Sequence, residues 1–115
     1  MENLTWQDLG GALVARYSGE ITMEITQDFK REMEKALEKA PGKALVLDLS
    51  GVSFMDSSGI GFLVACNTRL QASGRLLALL NPSSQVRKTL ALVQLMEFFK
   101  VAETEEELKR LVAGT

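Results

Sequence analysis

The chain has 115 residues, 46% of them hydrophobic and 24% charged, with a net charge of −2; this is the make-up of one globular domain spanning residues 1–115. The sequence contains no histidine and a single cysteine, Cys66, which excludes Ser-His-Asp and Cys-His catalysis, histidine metal sites and an internal disulfide. Its lysines and arginines are scattered, so no footprint for direct nucleic-acid binding is present, no apolar run approaches the ~20 residues of a membrane span, and the acidic start MENLTWQDLGG lacks the basic, then apolar, pattern of a secretory signal.

In chain order, a strand is expected around LTWQDL, a hairpin turn at Gly10-Gly11 and a second strand in GALVARYSG. EITQDFKREMEKALEKAPG reads as a helix, because Ile25, Phe29, Met33 and Leu37 recur every four residues among charged ones and Pro41-Gly42 ends the pattern. KALVLDLSGVSF reads as a strand whose segment Ala44 to Leu47 is apolar on both faces, as in the interior of a partly parallel sheet. IGFLVACNTRLQASG is a second helix stopping near Gly74, and RLLALLN a short, doubly apolar strand. Pro82 opens a third helix, PSSQVRKTLALVQL. EFFKVA is a short strand or an extended link, and TEEELKRLVAG a final helix in which Thr104 and Glu107 have capping-box spacing. The order β-β-α-β-α-β-α-(β)-α implies an α/β fold, a small mixed sheet with helices packed on it through right-handed crossovers.

The segment DSSGIG, residues 56–61, lies where the central strand gives way to the second helix. A helix start offers free backbone N–H groups and the positive end of the dipole. Asp56, Ser57 and Ser58 each have the chemistry of its N-cap. Gly59 and Gly61 leave the first turn without side chains, which lets another surface approach, at roughly 1 kcal/mol of helix stability each. A serine nucleophile lacks its histidine and its G-x-S-x-G frame. A Walker loop lacks the lysine that would follow the glycines. A modified serine on a docking surface remains, beside the plain reading of an over-supplied cap.

The stretch VLDLSGVSFMDSSGIGFLV resembles the signature of STAS-domain anti-sigma factor antagonists, with Leu45 to Leu63 matching nearly position for position, and the similarity extends over essentially the whole chain, through SGEI before the first helix and NPSSQVRKTLALVQLMEFFKVAETEEEL near the end. The resemblance implies that Ser57 is phosphorylated by a partner kinase, itself the anti-sigma factor, which uses ATP; the chain itself would need no cofactor. The unmodified antagonist would bind that kinase and free the sigma factor, phosphorylation would end that binding, and a PP2C-type phosphatase would restore it by removing the phosphate. Asp56, Ser57, Ser58, Gly59, Gly61, Glu20 and Thr22 are the implied partner-binding residues. Thr22 stands where the family usually has an aspartate, so contacts made by that acid do not transfer. Asp56 is expected either to serve the Ser57 site or to cap the helix, Ser58 to cap, Asp48 to hydrogen-bond within the strand, and Cys66 and the LALVQLMEFF stripe to lie in the core. The GFLVACNT stretch is either fully buried or partly exposed to a partner. The implied protein is a cytoplasmic regulator, monomer or weak dimer, not an enzyme. The competing role is a STAS module of a lipid- or anion-transport complex or of a stressosome-like particle.

Overall fold

The computed structural model describes residues 1–114. Strand β1 (Leu4–Asp8) turns through Leu9–Gly11 into the antiparallel β2 (Ala12–Ile21). Gly10 takes φ +79°, the left-handed conformation this turn needs, and its N–H donates to the Asp8 carboxylate at 2.9 Å. Helix α1 (Met23–Lys39) leads to β3 (Ala44–Met55), α2 (Ser57–Ala72), β4 (Leu77–Leu80), α3 (Ser84–Leu92), a 3-10 turn (Met96–Phe98), β5 (Lys100–Ala102) and α4 (Glu105–Ala113). The sheet order is β1-β2-β3-β4-β5, with β2 to β5 parallel. The segment left open between strand and link is therefore a strand, β5, and the sheet is mixed as expected.

Helices α1, α2 and α3 cover one face of the sheet and α4 the other. On the first face Ala15, Leu45, Leu47 and Leu79 meet Phe29, Met33 and Leu37 of α1 and Phe62, Leu63 and Leu70 of α2. On the second, Val14, Val46, Ala78 and Leu80 meet Leu108 of α4. The four-residue run Ala44 to Leu47 is buried throughout because alternate residues serve opposite cores. Phe29 anchors the larger core, its ring centroid 5.2 Å from Tyr17 and 4.6 Å from Phe62. Offset rings at such spacings add about 0.5–1.5 kcal/mol beyond the area they bury.

Four side chains tie off ends of helices and strands. Arg75 donates to the carbonyls of Leu37, Ala40 and Lys43, satisfying the C-terminus of α1 and the turn after it. Thr104 caps α4 by accepting from Glu107 N–H at 3.2 Å, while the Glu107 carboxylate accepts from Glu103 N–H at 2.7 Å, one residue earlier than in the standard box. Ser83 accepts from Val86 N–H as the N-cap of α3 and donates its hydroxyl to Val52 O at 2.7 Å. Its own N–H donates to Leu49 O. Strand β4 pairs with β3 only from Leu45 to Asp48, so Ser83 occupies the edge of β3 just beyond that pairing.

Two expectations need correction here. Pro82 precedes the Ser83 cap rather than opening α3, and the helix stops at Leu92, not at Leu95 where PSSQVRKTLALVQL ends. The chain reverses after it, with Gln94 at φ +59°. Consequently the LALVQLMEFF stripe is only partly core: Leu90 and Phe99 are buried, whereas Leu92, Val93 and Phe98 are exposed.

Candidate functional site

Strands β2 and β3 run on together past the end of β4, from Ser18↔Gly51 to Ile21↔Met55. Parallel strands end together, so α1 and α2, which follow them at once, begin side by side. The residue joining the two starts is Asp56. It is the N-cap of α2, its Oδ1 accepting from Gly59 N–H at 3.0 Å. Its Oδ2 accepts from Met23 N–H, the first residue of α1, at 3.3 Å. One carboxylate thus serves two positive helix ends. Thr22 occupies the N-cap position of α1 without a side-chain cap bond, and only its carbonyl is used, by Ile25 and Thr26. Replacing Asp56 by alanine removes both bonds and is expected to lower stability by about 1–2 kcal/mol, read as a matching fall in the urea midpoint at unchanged slope. Asp56→Asn, which keeps an acceptor oxygen, is expected to recover roughly half of that loss.

With Asp56 as cap, Ser57 and Ser58 are the first two residues inside α2. The expectation that Ser58 caps the helix is therefore corrected: a residue inside the first turn cannot reach back to its own free N–H groups in the way a preceding acid does. Neither serine hydroxyl makes a hydrogen bond among the described residues; Ser57 is exposed and Ser58 half-buried. The glycines differ as well. Gly61 is exposed, and a Cβ there meets nothing within 4 Å. Gly59 is buried, and a Cβ there collides with Met55 Cγ and lies 2.8 Å from the Ile21 carbonyl oxygen. Gly59 gives close approach of α2 to β2 and β3 within the domain, not clearance for an outside surface. Gly61 alone leaves open space.

Glu20 is exposed on β2 opposite Phe54, and its carbonyl accepts from the Tyr17 hydroxyl. Asp48 lies farther down β3, bound by Arg16 Nε at 3.0 Å and by the Ser50 amide and hydroxyl, the structural role expected for it. The exposed side chains of Met23 and Phe54 flank the Asp56 junction and went unnoticed in the sequence. Their signal is an apolar residue where the strand or helix pattern asks for a polar one.

GFLVACNT is divided between the two readings offered for it: Phe62, Leu63, Cys66 and Asn67 are buried, Ala65 and Thr68 exposed. Between α1 and α2 runs an open groove of about 680 Å³, with Ser58 at its lining, Met33, Phe62 and Cys66 at its floor, and Lys30 and Arg69 on opposite walls. Burial pushes the Cys66 thiol up to about 12, against weaker opposing fields from Lys30 and Arg69. Cys66 therefore stays a neutral thiol at physiological pH, packed 3.6 Å from the Met33 sulfur. No group of His, Cys, Asp and Glu able to hold a metal ion is found among the described residues. Nor is any helix among them long and apolar enough to cross a membrane.

The chain as a whole is similar to known proteins in sequence and in fold. Over 67 residues the chain is 34% identical to the anti-sigma F factor antagonist of Lysinibacillus sphaericus, covering 58% of this chain and 57% of that protein. The chain thus spans little more than half the length of that curated relative. An anti-sigma factor antagonist from Mycobacterium paratuberculosis superposes with a TM-score of 0.79 at 26% identity, over 93% of this chain and 91% of that one. The Bacillus protein SpoIIAA, an anti-sigma factor antagonist solved in unphosphorylated and phosphorylated forms, gives 0.73 at 25% identity for the unphosphorylated form, over 97% of this chain and 99% of that one. The family model described as STAS domain matches residues 3–108. That match covers nearly the full chain, and the protein belongs to the STAS domain family.

Proposed function

We propose that this chain is an anti-sigma factor antagonist that binds an anti-sigma factor kinase while Ser57 is unmodified and is released when that kinase phosphorylates it. The observation that carries the reading is the Ser57 hydroxyl, exposed and unbonded at the first turn of α2, directly after a carboxylate whose two oxygens are already engaged. The kinase transfers the γ-phosphoryl group of ATP to Ser57 Oγ, supplies the base that takes the hydroxyl proton, and releases ADP. A PP2C-type phosphatase hydrolyses the phosphoserine and returns the binding-competent form. The chain itself acts as a binding protein and performs neither step. Similarity to SpoIIAA, known in both states, supports this reading, as does the absence of any histidine to activate Ser57 from within.

The test is incubation of the purified chain with the anti-sigma factor kinase of its own genome and ATP, followed by mass spectrometry. One phosphate on Ser57 is expected, and none after Ser57→Ala. Phosphate on Ser58 or Thr22 with Ser57 unmodified, or no phosphate with any such kinase, overturns the proposal.

A further inference from the structure

The groove between α1 and α2 has a charge pattern that the Ser57 switch does not use. The chain as a whole is net negative, at −2, yet the groove carries Lys30, Arg31 and Arg69 against one acid, Glu34. Arg31 is paired with Asp28 on its own helix. Lys30 and Arg69 have no ion-pair partner among the described residues, and they face the groove from different helices. Two cations without ion pairs, on either side of the buried floor of Met33, Phe62 and Cys66, form a basic rim on an apolar base. Charges three or four residues apart on one helix can pair with each other, as Arg31 does with Asp28.

The shape narrows the occupant. Helices α1 and α2 have 17 and 16 residues and start at the same end of the sheet, so the groove between them is long and open at the side. That is a seat for an extended or helical segment, which lays apolar residues along a groove and charges along its rim. A small anion would need polar groups converging on one point, and here Lys30 and Arg69 stand on facing walls instead. The groove is also continuous with the modification site, since Ser58 lines it and the exposed Ser57 is the preceding residue.

We infer that the α1–α2 groove seats an acidic, amphipathic segment of the anti-sigma factor kinase, with its carboxylates on Lys30 and Arg69 and its apolar side chains over Phe62 and Met33. This rests on the proposed function, and adds a second contact that binding uses besides Ser57. The two contacts have different physics. Rim charges act mainly on encounter and on its dependence on salt, whereas a charge buried at the docked interface acts on dissociation. The groove therefore sets how fast the kinase arrives, and Ser57 decides whether it stays.

The experiment compares the parent, the double variant Lys30→Glu/Arg69→Glu and Ser57→Asp, each as the full chain, against the purified kinase by stopped-flow or surface plasmon resonance at 50 and 300 mM salt. Both cations are exposed, so an unchanged melting curve is required of the double variant and confirms that it is folded. The double variant is expected to associate at least tenfold more slowly at 50 mM salt and to lose most of the parent's salt dependence. Ser57→Asp is expected to keep the parent's association rate and dissociate faster. A double variant within twofold of the parent in rate and salt slope overturns the groove assignment while leaving the switch standing. If Ser57→Asp dissociates like the parent, the switch fails, and the double variant still decides the groove. Saturation of the groove by inorganic phosphate at millimolar concentration, seen as shifts of the Lys30 and Arg69 amide signals with no effect of the double variant on the kinase, assigns the rim to a small anion and overturns the segment.

Discussion

Phosphorylated on Ser57, the chain is expected to bind its anti-sigma factor kinase about 30-fold to several-thousand-fold more weakly than the unmodified chain, and to melt within a few degrees of it. Phosphate adds about 1.5–2 negative charges. In the free protein it stands at the start of a 16-residue helix, whose dipole offsets the charge by at most ~2 kcal/mol. Asp56 opposes it from the adjoining position. The amides of Gly59 and Ile60 already serve Asp56, leaving those of Ser57 and Ser58 to face the new group. These contributions oppose one another, and the hydroxyl being replaced is exposed and makes no internal bond, so the fold is expected to be little affected. In a docked interface the dianion loses water beside a second carboxylate. A charge buried without a partner costs roughly 2–5 kcal/mol, and each 1.4 kcal/mol is tenfold in affinity. Calorimetric titration of the kinase with both forms, alongside thermal melts, checks both halves. Equal affinities would remove the charge switch, and a large drop in melting temperature would replace it with an unfolding one.

Gly59→Ala and Gly61→Ala are expected to move stability in opposite directions, although the two glycines are two residues apart in the same helical turn. Alanine in place of helical glycine is favourable by up to ~1 kcal/mol, and at Gly61 nothing opposes it. At Gly59 the added methyl meets Met55, which can rotate, but also the Ile21 carbonyl oxygen at 2.8 Å and Ile21 Cγ2 at 3.0 Å. That carbonyl is backbone of β2 and accepts from Asp56 N–H, so it cannot retreat without disturbing the junction. Overpacking of this kind costs about 1–3 kcal/mol, and the fixed backbone atom places Gly59→Ala toward the upper end. Urea unfolding of the two variants gives the sign directly. A Gly59→Ala chain as stable as the parent would mean that α2 is free to lift from the sheet. Because Gly61→Ala leaves the fold intact, any loss of kinase binding it causes reports contact rather than folding.

Much of this architecture was legible in single elements. The four-residue spacing from Ile25 to Leu37 marked α1, the doubly apolar Ala44 to Leu47 marked a central parallel strand, and Thr104 with Glu107 marked the start of α4. Each of these is a local pattern, set within one or two turns of chain. DSSG was also legible as a strand-to-helix junction rich in cap residues, though not which residue caps, since aspartate and serine compete for that position on nearly equal terms. What stayed hidden depends on residues distant in sequence. Asp56 reaches Met23 across 33 positions, and Arg75 reaches Ala40 across 35. The two glycines of the first turn look alike in sequence, and only the approach of Ile21 separates them. The apolar run after Thr89 suggested continuous burial, but a helix that ends at Leu92 turns the next side chains outward.

The two ties on α1 bear on how the chain comes to be folded. The N–H at its start waits for Asp56 and the carbonyls at its end wait for Arg75, both made later in synthesis. A lone helix of 17 residues is only marginally stable in water. On the ribosome, α1 can flicker into shape early, yet both its ends are secured only once residue 75 has emerged, by which point β3 and α2 have emerged too. The start of α1 can thus be secured once Asp56 has emerged but its end only once Arg75 has, so the groove between α1 and α2 is completed last.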